Sequence, residues 1–255
     1  MRDFEVPGTS WRIRFHDLPG NDPPLMLVHG LGCASSCDYP RIAADPALAG
    51  RRMLLVDLLG AGFSDKPAGF GYAVEDHAET LRALMRGLSL PVIDLFGHSM
   101  GGAIAIETAT RNHGRIRRLV LGEPNLCAGG GDTSRSIAAY SEDDYVARGH
   151  EETTRNAAAA GDTTWSASAL LWSPAAVHRG ATSLVRGGAP SWMDQLGALP
   201  IPRTVIFGES SLPDPNTERL PRIGVAVRIV RDAGHSMAWE NPSGVAEAIS
   251  AALSG

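Results

Sequence analysis

Apolar positions in this chain are grouped in short blocks rather than spread evenly. Six runs rich in branched side chains each end in glycine or a polar residue: PLMLVHG (24–30), RRMLLVDLLG (51–60), PVIDLFGHS (91–99), IRRLVLGEP (116–124), RTVIFGES (203–210) and VAVRIVRDAGH (225–235). Runs of this kind suit strands covered on both faces. Between them the spacing becomes helical. Val74–Leu88 sets Leu81, Leu84, Met85 and Leu88 on one face, Met100–His113 is rich in Ala and Ile, and Val245–Leu253 reads as a closing helix. Strands alternating with helices predict an α/β fold with a parallel sheet wrapped on both sides. FEVPG (4–8) and WRIRFHDLPG (11–20) read as an antiparallel hairpin at the sheet edge. The rhythm stops over residues 126–195, which are rich in Ala, Gly, Ser and Thr and hold Trp165, Trp172 and Trp192. That stretch reads as a helical insertion between core segments 1–125 and 196–255.

Composition narrows the field. The 255 residues, 44% of them hydrophobic, are enough for a sizeable core. A net charge of −5 argues against nucleic acid as a partner, and RIRR (115–118) reads as the lead-in to a strand. The three cysteines have no zinc-ligand spacing, so neither a disulfide framework nor a metal site is expected. The N-terminus lacks an apolar leader, and no run reaches the roughly 18 residues of a membrane span. No glycine-rich loop ends in Lys-Ser/Thr, the signature of a phosphate cradle. The expectation is a soluble cytoplasmic protein without cofactor, membrane or nucleic-acid partner, of undetermined oligomeric state.

The tetrapeptide GHSM occurs at 97–100 and again at 234–237, with unrelated flanks. The first copy lies in GHSMG, between an apolar run and an Ala/Ile helix. A sharp strand-to-helix turn there would project Ser99 Oγ and leave helix N-terminal N–H groups beneath it. HGLG (29–32) also follows an apolar run, so Leu31 and Met100 are the expected N–H donors of an oxyanion hole. The second copy fails the G-x-S-x-G pattern because Ala238 follows Met237. What it offers is His235, on a loop after the last apolar run, as a general base.

HGLG, DLLGAGFSD (57–65), GHSMGG and the late AGH together resemble the serine hydrolases of the α/β-hydrolase family, in family order. The resemblance implies a mostly parallel eight-stranded sheet with helices on both faces and a helical cap inserted after the sixth strand. The cap coincides with the strandless stretch. It also implies an aspartate soon after the seventh strand, in a GExD context. Here FGESSLPDP (207–215) places Ser211 at that position. Of three remaining carboxylates, the favoured one is Glu123, at the end of the sixth run, where some branches of the family carry their acid; the alternative is Asp214, three residues past the vacated position, and Glu209 is expected to face away. Asp57 and Asp65 read as turn-locking residues.

The expected activity is hydrolysis of a small carboxylic ester, lactone or thioester through an acyl-enzyme on Ser99. Trp165, Trp172 and Trp192 are candidates for apolar walls of the substrate pocket. The same residues could serve carbon–carbon bond hydrolysis or aminopeptidase-like chemistry, or survive in a non-catalytic small-molecule-binding module.

Overall fold

The computed structural model describes residues 1–254. Eight strands form one sheet in the order β1-β2-β4-β3-β5-β6-β7-β8. β1 (Arg2–Glu5) pairs antiparallel with β2 (Arg12–Leu18), which pairs antiparallel with β4 (Arg51–Asp57). β3 (Asn21–Val28), β5 (Ile93–His98), β6 (Ile116–Gly122), β7 (Arg203–Gly208) and β8 (Ala226–Val230) join β4 in parallel. The hairpin and the six expected strands are all present.

The continuous apolar runs have a direct cause. Along β3, Met26 and Val28 enter one core while Leu25 and Leu27 enter the other; along β4, Leu54 and Val56 part from Met53 and Leu55 in the same way. Successive strand residues face opposite sides, so a sheet covered twice needs apolar residues at both parities. Helices Val74–Gly87 and Met100–Thr110 cover the first face, and Pro242–Ser254 closes the second. No helix among the described residues is long and apolar enough to cross a membrane.

No strand lies between β6 and β7. That interval holds helices Asp132–Ala138, His150–Ala159, Thr163–Ala169, Pro174–Arg186 and Trp192–Ala198. The expected boundary at residue 195 falls inside the last of these. Trp192 Nε1 and Gln195 Nε2 both donate to the buried Glu107 Oε1 on Met100–Thr110, at 3.2 and 2.7 Å. This helix is therefore fixed to the core.

Candidate active site

β5 and β6 run side by side with His98 opposite Gly122. The next residue on each strand, Ser99 and Glu123, leaves the sheet with positive φ, 54° and 39°. Such conformations cost about 1–3 kcal/mol at a non-glycine residue and persist only where the surroundings impose them. Here the neighbouring strands do so. The Ser99 N–H donates to Gly122 O at 2.9 Å, and the Glu123 N–H donates to Ile206 O on β7 at 2.9 Å. The tight passage from strand to helix also explains two glycines. A Cβ on Gly97 would lie 2.2 Å from Gly101 O, and one on Gly101 would lie 2.4 Å from Val28 O.

The loop after β8 brings His235 to both side chains. Its Nε2 accepts from Ser99 Oγ at 3.1 Å, and its Nδ1 donates to Glu123 Oε2 at 2.7 Å. This tautomer follows from the partner, because an ionised carboxylate only accepts. Glu123 Oε1 accepts the Gly208 N–H at 2.8 Å. Burial pushes the Glu123 carboxyl up, but the hydrogen bonds from His235 and the Gly208 N–H outweigh it and hold the group below its ordinary value. Ser211 thus stands in the position of the expected aspartate, and the carboxylate on His235 comes from the adjacent strand.

The other two acids lie elsewhere. Asp214 Oδ1 accepts the Asn216 N–H at 2.7 Å and its carbonyl accepts the Thr217 hydroxyl, so it closes the turn into helix Asn216–Arg222 rather than reaching His235. Glu209 turns outward, where its carboxylate takes the Asp232 N–H at 3.3 Å. Asp57 accepts from Ser36 and from the Phe63 N–H, and Asp65 from the Arg12 N–H; both lock loops.

Gly30–Cys33 form a tight turn closed by the Cys33 N–H on Gly30 O at 3.2 Å. Among the described residues, the Leu31 N–H has no hydrogen-bond partner, and the Met100 N–H, first of its helix, lies beyond the reach of the helix ladder. Two histidines that sequence reasoning left idle set the surroundings. Buried His29 donates from Nδ1 to Gly30 O at 2.9 Å and accepts the Leu58 N–H at Nε2 at 3.0 Å; burial lowers its proton affinity. His98 donates from Nε2 to His235 O at 2.9 Å, and burial brings its pKa down to about 3. It is a neutral prop for the His235 loop. The motif letters locate both rings, but only the three-dimensional pairing reveals what they hold.

A cavity of about 700 Å³ opens over Ser99 and His235. Trp165 lines it. Trp172 and Trp192 do not, and their expected role as pocket walls is corrected. Trp172 lies edge-on to His29 and donates to Cys33 O at 2.6 Å. Trp192 is fully buried against Glu107, with its indole N–H spent there. Cys33 lines the cavity, but burial first, and then Asp38, raises its thiol well above the usual value. Among the described residues no Lys or Arg is on the cavity wall; Asp38, Asp132 and Asp162 are, along with Glu123. A second concavity of about 980 Å³, between Glu107, Arg111 and Arg186, contains none of these groups.

This sheet order, with a serine on the strand-to-helix turn and a histidine after the last strand, defines a class. The sequence profile of the alpha/beta hydrolase fold matches residues 23–242, and the chain belongs to that family. It is 37% identical over 107 residues to a 2-hydroxy-6-oxo-2,4-heptadienoate hydrolase of Pseudomonas putida, a match covering 42% of this chain and 38% of that protein. Matches span only 38–41% of the length of the first three such relatives. Among solved structures, the fold is shared with an esterase from Thermogutta terrifontis (TM-score 0.79, 22% identity, 99% of this chain and 97% of that one). It is also shared with an enol-lactonase from Burkholderia xenovorans LB400 (TM-score 0.78, 18% identity, 100% of both chains).

Proposed function

We propose that the protein is a cytoplasmic serine hydrolase acting on small, uncharged carboxylic esters or lactones. The observation that carries this reading is the hydrogen-bonded line Ser99 Oγ–His235–Glu123 at 3.1 and 2.7 Å. In the first step His235 Nε2 takes the Ser99 proton as Oγ attacks the substrate carbonyl. Glu123 fixes the tautomer and stabilises the imidazolium. The Leu31 and Met100 N–H groups receive the oxyanion. Collapse expels the alkoxide, which takes the proton from His235 and leaves an acyl-enzyme. Water, deprotonated by His235, then attacks the acyl carbon, and the released acid restores Ser99. No step calls for a metal or cofactor. The three free thiols are consistent with a reducing compartment.

The names of the curated relatives favour a second reading, carbon–carbon hydrolysis of a dienoate. The cavity wall weighs against it. Its charged groups besides histidines are carboxylates, and an anionic substrate brought there would be desolvated without a counter-charge. A cavity of about 700 Å³ suits a small molecule rather than a polymer.

The test is a matched pair, p-nitrophenyl butyrate and p-nitrophenyl hemisuccinate. The butyrate should be turned over with kcat/KM at least about tenfold higher, and Ser99→Ala should remove about 10³-fold or more of the activity. Preference for the hemisuccinate, or for an anionic dienoate, would favour the second reading. Binding without turnover of any ester, lactone or thioester would favour a non-catalytic module.

A further inference from the structure

The turn that carries the Leu31 N–H is held from above by two indoles of the helical segment. Trp165 Nε1 donates to Leu31 O at 2.8 Å, and Trp172 Nε1 donates to Cys33 O at 2.6 Å. Among the described residues no other donor reaches either carbonyl. Between them Gly32 has φ +76°, the value required at the third residue of a type II turn. A Cβ at Gly32 would lie 2.5 Å from Trp165 Nε1, so the indole lies directly on the peptide it binds.

We infer that Trp165 and Trp172 are positioning residues that set the oxyanion turn from the helical segment, which makes the seating of that segment part of the catalytic geometry. The inference rests on the ester-hydrolase reading above. The central peptide of a tight turn has two orientations, and passing between them rotates Leu31 ψ and Gly32 φ. The Trp165 bond holds the Leu31 carbonyl in one of them. Trp172 fixes the turn's exit.

The segment itself is anchored where Trp172 enters. The Ser173 N–H donates to Gly60 O at 2.9 Å, Arg179 Nη1 donates to Phe70 O at 3.0 Å, and Ser183 Oγ accepts the Val74 N–H at 3.1 Å. Helix Pro174–Arg186 also rests on both donor residues: a Cβ at Gly180 would lie 3.0 Å from the Leu31 side chain and 3.3 Å from Met100 Sδ. The segment that roofs the cavity and the loop that binds the developing charge are therefore one mechanical unit. A donor set slightly off aim weakens transition-state binding far more than substrate binding.

Trp172 is the cleaner probe because it does not line the cavity. The experiment compares wild type, Trp172→Phe and a chain carrying benzothienylalanine at position 172, which keeps the bicyclic shape and lacks only the N–H. Each is assayed for kcat and KM on p-nitrophenyl butyrate and for affinity to an alkyl boronic acid, whose tetrahedral serine adduct occupies the oxyanion site. The expected result is a fall in kcat of roughly tenfold in both variants, with KM within about twofold and a matching loss of boronate affinity. Trp165→Phe should lower kcat and also shift KM, because Trp165 touches the cavity.

Unchanged kcat and boronate affinity in the benzothienylalanine protein overturns the inference, whatever happens to Trp172→Phe. So does a loss confined to KM. A wild-type protein inert to both ester and boronate overturns the hydrolase reading and takes the inference with it.

Discussion

The C-terminal edge of the sheet and the helical segment above it hold the same site by different means. At the edge, main chain does the work. Ser99 and Glu123 are successors of a paired strand position, bent out of the sheet by bonds to Gly122 and Ile206. In the segment, side chains do it, through indole N–H groups directed at backbone carbonyls and at Glu107. Main-chain placement is shared by every residue of a strand and tolerates little change. Side-chain placement is local, so each contact can be removed singly while the fold persists. The difference predicts where substitutions act on chemistry and where on stability.

The sharpest break in the comparison is at the edge. Glu123→Gln keeps the shape and the Gly208 contact but removes the ionised acceptor that fixes the His235 tautomer. kcat should fall by about 10³–10⁴-fold, with folding retained, by analogy with amide substitution in a serine-protease triad. Asp214→Asn, whose carboxyl serves only the following turn, should stay within about twofold of wild type. A reversal of these two outcomes in a steady-state assay would show that the acid comes from the β7 side after all.

Trp192→Phe should act oppositely. It removes one of the donors to the buried Glu107 carboxylate, outside the Ser99 cavity, and leaves Gln195 in place. A loss of about 1–3 kcal/mol in urea unfolding is expected, with kcat unchanged. A variant as stable as wild type but slower would show that the helix Trp192–Ala198 communicates with the site.

How legible the molecule is in its sequence follows the same division. The strands announce themselves because two-sided burial demands apolar residues at both parities, as Leu25 to Val28 show. Ser99 and His235 are legible because a glycine-flanked elbow and a histidine after the last strand leave few alternatives. The family habit pointed to position 211 for the acid, where this chain has a serine, and the structure sets Glu123 of the neighbouring strand against His235 instead. That substitution works because β6 and β7 are adjacent, a fact of sheet order that no spacing reveals. The three tryptophans were legible as large apolar groups, but as pocket walls Trp172 and Trp192 were misjudged while Trp165 does line the cavity. A tryptophan carries one donor, and where that donor points depends on which carbonyls a distant loop leaves free. For Trp165 and Trp172 those carbonyls are 134 and 139 residues away in sequence.

The smallest expected effect contrasts two carboxyls of the same cavity. Glu123 is held below its ordinary value in the folded chain, where hydrogen bonds outweigh burial. The unfolded chain therefore binds that proton more readily. The contribution to stability is fully present above the ordinary glutamate value of 4.5 and is lost as pH falls through the lower folded value. Asp38 is the reverse: burial raises its carboxyl above 3.8, and the hydrogen bond from Trp239 Nε1 at 3.0 Å only partly offsets this. Here the folded chain binds the proton more readily, so a penalty sets in as pH rises from 3.8 through the higher folded value. Urea midpoints measured from pH 6.5 downward separate the two. Relative to wild type, Glu123→Gln should lose less stability on acidification, and Asp38→Asn should lose more. Parallel curves for all three proteins would mean that neither carboxyl differs between the folded and unfolded chain, and the contrast between an acid whose hydrogen bonds outweigh its burial and one whose burial prevails would fail.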